Sequence, residues 1–185
     1  RRMGSCEVIW GQSLDSAGKT LVEMPLESMS LMSMKLTSGG PPPAPTDQVP
    51  AAITTAHYVA RVDPATGALT SLRWKPSGRE VLGGPANVVL METKSDAHAL
   101  PAKAQRTRLA SSSEFRPTIQ VTEGPVATIV EVRSPFPGGS ALRRSMRFYH
   151  RSPRIDFVTE TTDLPDGTIV SVEFPLADTI QEVHR

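Results

Sequence analysis

The side chains able to do chemistry are few, and their spacing does not assemble them into a reaction centre. Acid–base cleavage of a sugar linkage uses paired carboxyls, one as nucleophile or base and the other as acid. Asp63, Glu80, Asp156, Glu160, Asp163 and Asp166 are the carboxyls in strand-like or turn-like segments. Asp63 and Asp166 sit in turn sequences, where a short carboxylate caps nearby backbone donors. Asp156 lies in a strand close to Arg151 and Arg154, a pattern that reads as a structural ion pair. There is no Gly-x-Ser-x-Gly elbow and no phosphate-binding glycine loop. Cys6 is the only thiol, so neither an internal disulfide nor a cysteine-rich metal site can form. His57, His98, His150 and His184 are far apart, and none has the two- or four-residue spacing of metal-ligating pairs. No catalytic residue and no metal ligand is assigned.

Aromatic residues make up only 5% of the chain, which limits sugar-stacking platforms to a few positions. Trp74 and Tyr149 are the candidate carbohydrate contacts, with core packing as the alternative for each. The segment from Arg143 to Arg154 is basic and carries Phe148 and Tyr149. Arg143, Arg147 and Arg151 alternate with apolar residues as on the exposed face of a strand, and Glu131, Asp156, Glu160 and Glu173 on neighbouring strands are expected as ion-pair partners. The net charge is +1, which gives no global reason to expect a nucleic-acid or anionic-membrane partner. No apolar run approaches the roughly 20 residues that span a bilayer. The chain does not begin with Met and opens without a signal-like stretch, so compartment stays unassigned.

The elements that hold these residues read as short strands. With 17 Pro and 13 Gly, the chain is punctuated too often for a helical bundle. Residues 1–40 form a flanking segment. In it Met32, Met34 and Leu36 alternate with Ser33 and Lys35 as in a half-buried strand. Residues 41–55, around Gly39-Gly40-Pro41-Pro42-Pro43-Ala44-Pro45, read as a linker or a surface-hugging strap.

Residues 56–185 read as an antiparallel sandwich. Tyr58, Ala60 and Val62 share a face. Asp63-Pro64-Ala65-Thr66-Gly67 then turns the chain, with Gly67 left-handed, and Leu69 to Trp74 return as a hairpin arm. The run from Asn87 to Glu92 reads as a strand buried on both faces. Residues 95–113 read as loop with short strands. Val126, Thr128, Val130 and Val132 form one face of a strand. Leu142, Met146 and Phe148 do the same on the next, opposite Arg143, Ser145, Arg147 and Tyr149. Ile155 and Phe157, then Val170, Val172 and Phe174, continue the pattern.

Two ordered stretches resemble the C-terminal β-domain of family 38 glycoside hydrolases. The first runs Tyr58-Val59-Ala60-Arg61-Val62-Asp63-Pro64-Ala65-Thr66-Gly67-Ala68-Leu69-Thr70-Ser71-Leu72, followed by Gly78-Arg79-Glu80-Val81-Leu82. The second holds Ile155-Asp156-Phe157 and ends on Val172-Glu173-Phe174-Pro175-Leu176. The resemblance implies a supersandwich similar to galactose mutarotase, in an α-mannosidase-like parent acting on mannose-containing glycans. It also implies that zinc and the nucleophilic aspartate belong to a separate catalytic barrel. The function it implies here is a non-catalytic domain that packs on that barrel and helps shape the sugar site. A carbohydrate-binding module and a purely structural domain are the alternatives.

Overall fold

A computed structural model describes residues 11–13, 19–24, 43–94 and 106–177. The Met-rich stretch, Cys6, His98, His184 and residues 95–105 lie outside these. In chain order the strands are β1 (Gly11–Ser13), β2 (Thr20–Val22), β3 (Ile53–Thr54), β4 (Tyr58–Val62), β5 (Leu69–Trp74) and β6 (Val88–Lys94). They continue with β7 (Arg106–Ser111), β8 (Thr118–Glu123), β9 (Ala127–Pro135), β10 (Ala141–Tyr149), β11 (Ile155–Thr162) and β12 (Thr168–Glu173). Every strand pair is antiparallel. The protein is all-β.

Two three-stranded sheets, β3-β4-β5 and β12-β6-β7, lie over one face of a four-stranded sheet ordered β11-β10-β9-β8. The long strands β9 and β10 make this possible, at nine residues each. At about 3.4 Å per residue they extend roughly 30 Å, enough to carry two patches of core end to end. At one end, Tyr58, Ala60, Val62 and Leu69 meet Val130, Val132, Met146 and Phe148. At the other, Val89 and Met91 meet Phe136 and Leu142. Val88 and Leu90 face the opposite way and pack with Ala68, so β6 is buried on both faces, as its continuous apolar run predicts.

The turn chemistry is realised at Asp63–Gly67. The Asp63 carboxylate accepts from the Ala65 N–H at 3.0 Å and the Thr66 hydroxyl at 2.6 Å, and Gly67 has φ +68°. Residues 43–52 run as a strap. Thr46 exchanges two backbone hydrogen bonds with Val121, at 2.8 and 2.7 Å, and so covers part of the β8 edge. Ile53 and Thr55, which proline-rich composition groups with the strap, are buried within the domain. Ahead of them, the β1–β2 hairpin is fastened by Gln12. Its Oε1 accepts from the Val126 and Ala127 N–H groups at 3.3 and 2.9 Å.

Candidate functional site

Two places concentrate polar chemistry. One is the end of the sandwich around the β10–β11 turn, where both sequence-predicted aromatics sit. Trp74 closes β5, half-buried against the main core, and stacks on His57 with ring centroids 5.8 Å apart and planes 12° apart. His57 Nε2 is 2.7 Å from the Arg151 carbonyl oxygen. Tyr149 ends β10, and its hydroxyl donates to Asp156 Oδ2 at 2.8 Å. Arg154 reaches Asp156 Oδ1 at 2.5 Å while its guanidinium lies 6.0 Å above the Tyr149 ring. The same turn thus borders both aromatics, through Arg151 on one side and Arg154 on the other. Each ring already has a partner within the domain.

Register explains why Asp156 is held so firmly. It pairs with Arg147 across β10–β11, and Tyr149 and Arg154 converge on it from the strand ends. Burial pushes its carboxyl up, but the hydrogen bonds from Arg154 and Tyr149 outweigh this and leave it below the usual range. A depressed carboxyl stabilises the fold above its unfolded value, near 3.8, and that contribution is lost as pH falls through the lower folded value. Asp156→Asn is therefore expected to lower stability at neutral pH and to shrink the loss below about pH 4. Urea midpoints measured at pH 7 and pH 3 check this; an unchanged difference between the two would refute it.

Asp63, Glu80 and Glu131 are held in the same sense. Asp63 is lowered chiefly by the Thr66 hydroxyl. At Glu80 desolvation is outweighed by the Ser71 hydroxyl and the N–H groups of Leu72, Leu82 and Val81. At Glu131 burial pushes the carboxyl up, and Arg143, with Arg133, outweighs it and leaves the group lowered. Arg143 itself bridges Glu131 at 2.7 Å and Glu160 at 3.0 Å, an ion-pair ladder running across β9, β10 and β11. The basic face of β10 is thus compensated in part by acidic neighbours on both sides. Among the described residues, no three His, Cys, Asp or Glu side chains group as a metal ion needs. Among them, too, no helix is long and apolar enough to cross a membrane.

The second place was not marked by motif reading. Arg144 is 0% exposed, on the core face of β10 between Leu142 and Met146. Its Nη1 donates to the Asn87 carbonyl and its Nη2 to the Thr66 carbonyl, both at 2.7 Å. Thr66 belongs to the turn of one overlying sheet, and Asn87 leads into β6 of the other. Arg144 therefore ties the two sheets together where they abut. Among the described residues no carboxylate pairs with it, and desolvation pulls its guanidinium down to about 10, so it stays charged at neutral pH. A signal existed: Arg144 shares parity with Leu142, Met146 and Phe148, so strict alternation puts it inside. Asn87 is also fully buried and has φ +58°, a conformation Asn tolerates better than most residues.

This ordered set of strands, with the Asp63–Gly67 turn at its start and the Phe174-Pro175-Leu176 element at its end, is covered by one family model. The model of the glycosyl hydrolases family 38 C-terminal domain matches residues 53–181. The chain belongs to that family. No curated protein matches the chain. The match to the C-terminal domain begins at β3, so the buried Ile53 is inside it. It spans both the aromatic end and the Arg144 seam, and both are features of the glycosyl hydrolase domain.

Proposed function

We propose that this domain is a non-catalytic part of an α-mannosidase-like glycosidase, with a galactose mutarotase-like supersandwich, which packs on the catalytic barrel and helps shape its site for mannose-containing glycans. The observation that carries this reading is the state of the carboxyls within a glycosyl hydrolase domain. Glycosidic cleavage needs one carboxyl raised so that it can act as an acid near neutral pH. Asp63, Glu80, Glu114, Glu131 and Asp156 are all lowered. Each accepts hydrogen bonds from within the domain that hold it ionised and fixed in place. Zinc, on this reading, is a cofactor of the barrel and draws no ligand from the domain.

The test has two arms. The 185-residue chain is assayed on an aryl α-mannoside with zinc and is expected to give no turnover. The parent enzyme is assayed with and without the domain, and its removal is expected to abolish soluble, active protein or to change KM. Turnover by the isolated chain sinks the non-catalytic reading. A soluble, fully active remainder sinks the site-shaping role. A second reading, a sugar-binding module without chemistry, draws support from the half-buried Trp74 stacked on His57. Loss of sugar binding on Trp74→Ala would favour it.

A further inference from the structure

A groove of ≈ 320 Å³ lies along the seam between the two overlying sheets. Asp63, Thr66 and Ala68 line it from the first sheet, and Val88, Ser111 and Glu173 from the second. We propose that this groove binds a neutral pyranose unit of a glycan, at a site separate from the Trp74 end. The proposal rests on the reading of the domain as part of a glycosidase.

Three observations carry it. First, the walls are braced by the same buried polar groups that tie the two sheets together. The Asn87 N–H donates to the Glu173 carbonyl at 2.9 Å, and the Asn87 carbonyl accepts from Arg144, which also holds Thr66. One unpaired guanidinium thus fixes the distance between the Thr66 wall and the Glu173 wall. Burying a charge without a counter-charge is costly, and the fold keeps it at the groove rather than using an apolar side chain. Second, both Asn87 side-chain amide atoms are buried with no hydrogen-bond partner among the described residues, although the next residue, Val88, lines the groove. A left-handed, unsatisfied Asn is the kind of local strain that collects at binding sites.

Third, the lining chemistry selects a neutral polyol. Asp63 already binds the Thr66 hydroxyl, and Arg108 already pairs with Glu114 at 2.6 Å. The exposed Glu173 carboxylate has no hydrogen bond or ion pair among the described residues. An anion would meet Glu173 and Asp63. Sugar hydroxyls can donate to Glu173 and accept from Arg108 together. Ala68, Val88 and Pro175 supply apolar surface for the C–H face of the ring. The volume is at the low end of about 300–1,000 Å³ for small-ligand sites, which suits one or two rings rather than a long chain.

The experiment is amide-shift mapping by NMR on the 185-residue chain, titrated with methyl α-mannoside and with an α-linked mannobiose. Shifts at Asp63, Thr66, Ser113 and Glu173 that saturate in the millimolar range are expected. Glu173→Ala, an exposed position, is expected to keep the dispersed spectrum and to weaken binding at least about tenfold. Shifts confined to His57 and Trp74 would overturn the proposal, because the sugar would then sit at the other end. So would no shift up to about 100 mM of either sugar, far above the millimolar range of weak sites, or binding unchanged in Glu173→Ala. Because the assays of the parent enzyme do not depend on this groove, a silent groove alongside a domain the parent requires would sink this inference alone.

Discussion

Arg144→Ala is expected to be the most damaging single substitution in the domain, lowering stability by about 3–5 kcal/mol. Two effects add. The buried carbonyls of Thr66 and Asn87 lose their donors, at about 1–3 kcal/mol each. A cavity also opens between Leu142 and Met146, where neighbouring side chains cannot fully collapse. The gain from no longer burying a charge offsets part of the sum. For a chain of this size the result is a fall in Tm of about 6–20 °C. Arg144→Met provides the discriminating comparison. Met fills the volume and removes the charge, but it cannot donate. If the guanidinium acts mainly through its two hydrogen bonds, Met restores only part of the loss. If Met matches or exceeds the wild type in urea denaturation, the brace contributes nothing net and the cost of the buried charge dominates. The sign of the pH effect is also fixed. The folded value near 10 lies below the ordinary guanidinium value, so burial of the charged form opposes folding at neutral pH and eases only as pH rises past about 10.

Gly67→Ala is expected to follow closely, at about 2–5 kcal/mol. The residue has φ +68°, which costs an L-residue about 1–2 kcal/mol. A Cβ there would also lie 2.5 and 2.9 Å from the two methyls of Val132 and 3.2 Å from Arg144 Nη2. Val132 is fully buried on β9, so it can yield only by disturbing the main core, at about 1–3 kcal/mol more. Gly78→Ala isolates the two terms. Gly78 has φ +70° but nothing within 4 Å of a built Cβ, so only the backbone term remains. Thermal melts of the two variants should therefore differ by several degrees, with Gly67→Ala the lower. Equal melting points would show that Val132 moves aside freely. Gly67 also connects turn to brace, since a shift of Val132 and Arg144 would displace Thr66 from the groove wall.

Much of the fold was legible because strand periodicity and turn chemistry are local. The alternation of Tyr58, Ala60 and Val62, the two-sided run at β6 and the left-handed Gly67 all follow from a few consecutive residues. So does the acidic pairing of Arg143, because once three strands are aligned Glu160 falls opposite it and Glu131 lies diagonally, opposite Ser145. Less was legible about the site. Trp74 and Tyr149 stand out by type alone, and only the structure shows that each is engaged, one by His57 and the other by Asp156. Gln12 and Asn87 carry no sequence signal for their roles. The partners of Gln12 are the backbone groups of Val126 and Ala127, more than a hundred residues away.

The basic residues of β10 show where the division falls. By itself the sequence determined that Arg143, Arg147 and Arg144 sit on a strand, and that no motif for cleavage chemistry accompanies them. Parity separated Arg144 from the other two, since strand side chains alternate faces whatever they pack against. What stands over the inner face was decided only by the tertiary structure. Two separate sheets meet at Arg144, and the carbonyls that receive it come from a turn 78 residues away and a strand entry 57 residues away. Such partners are set by how sheets stack, a long-range outcome of packing that no local pattern encodes.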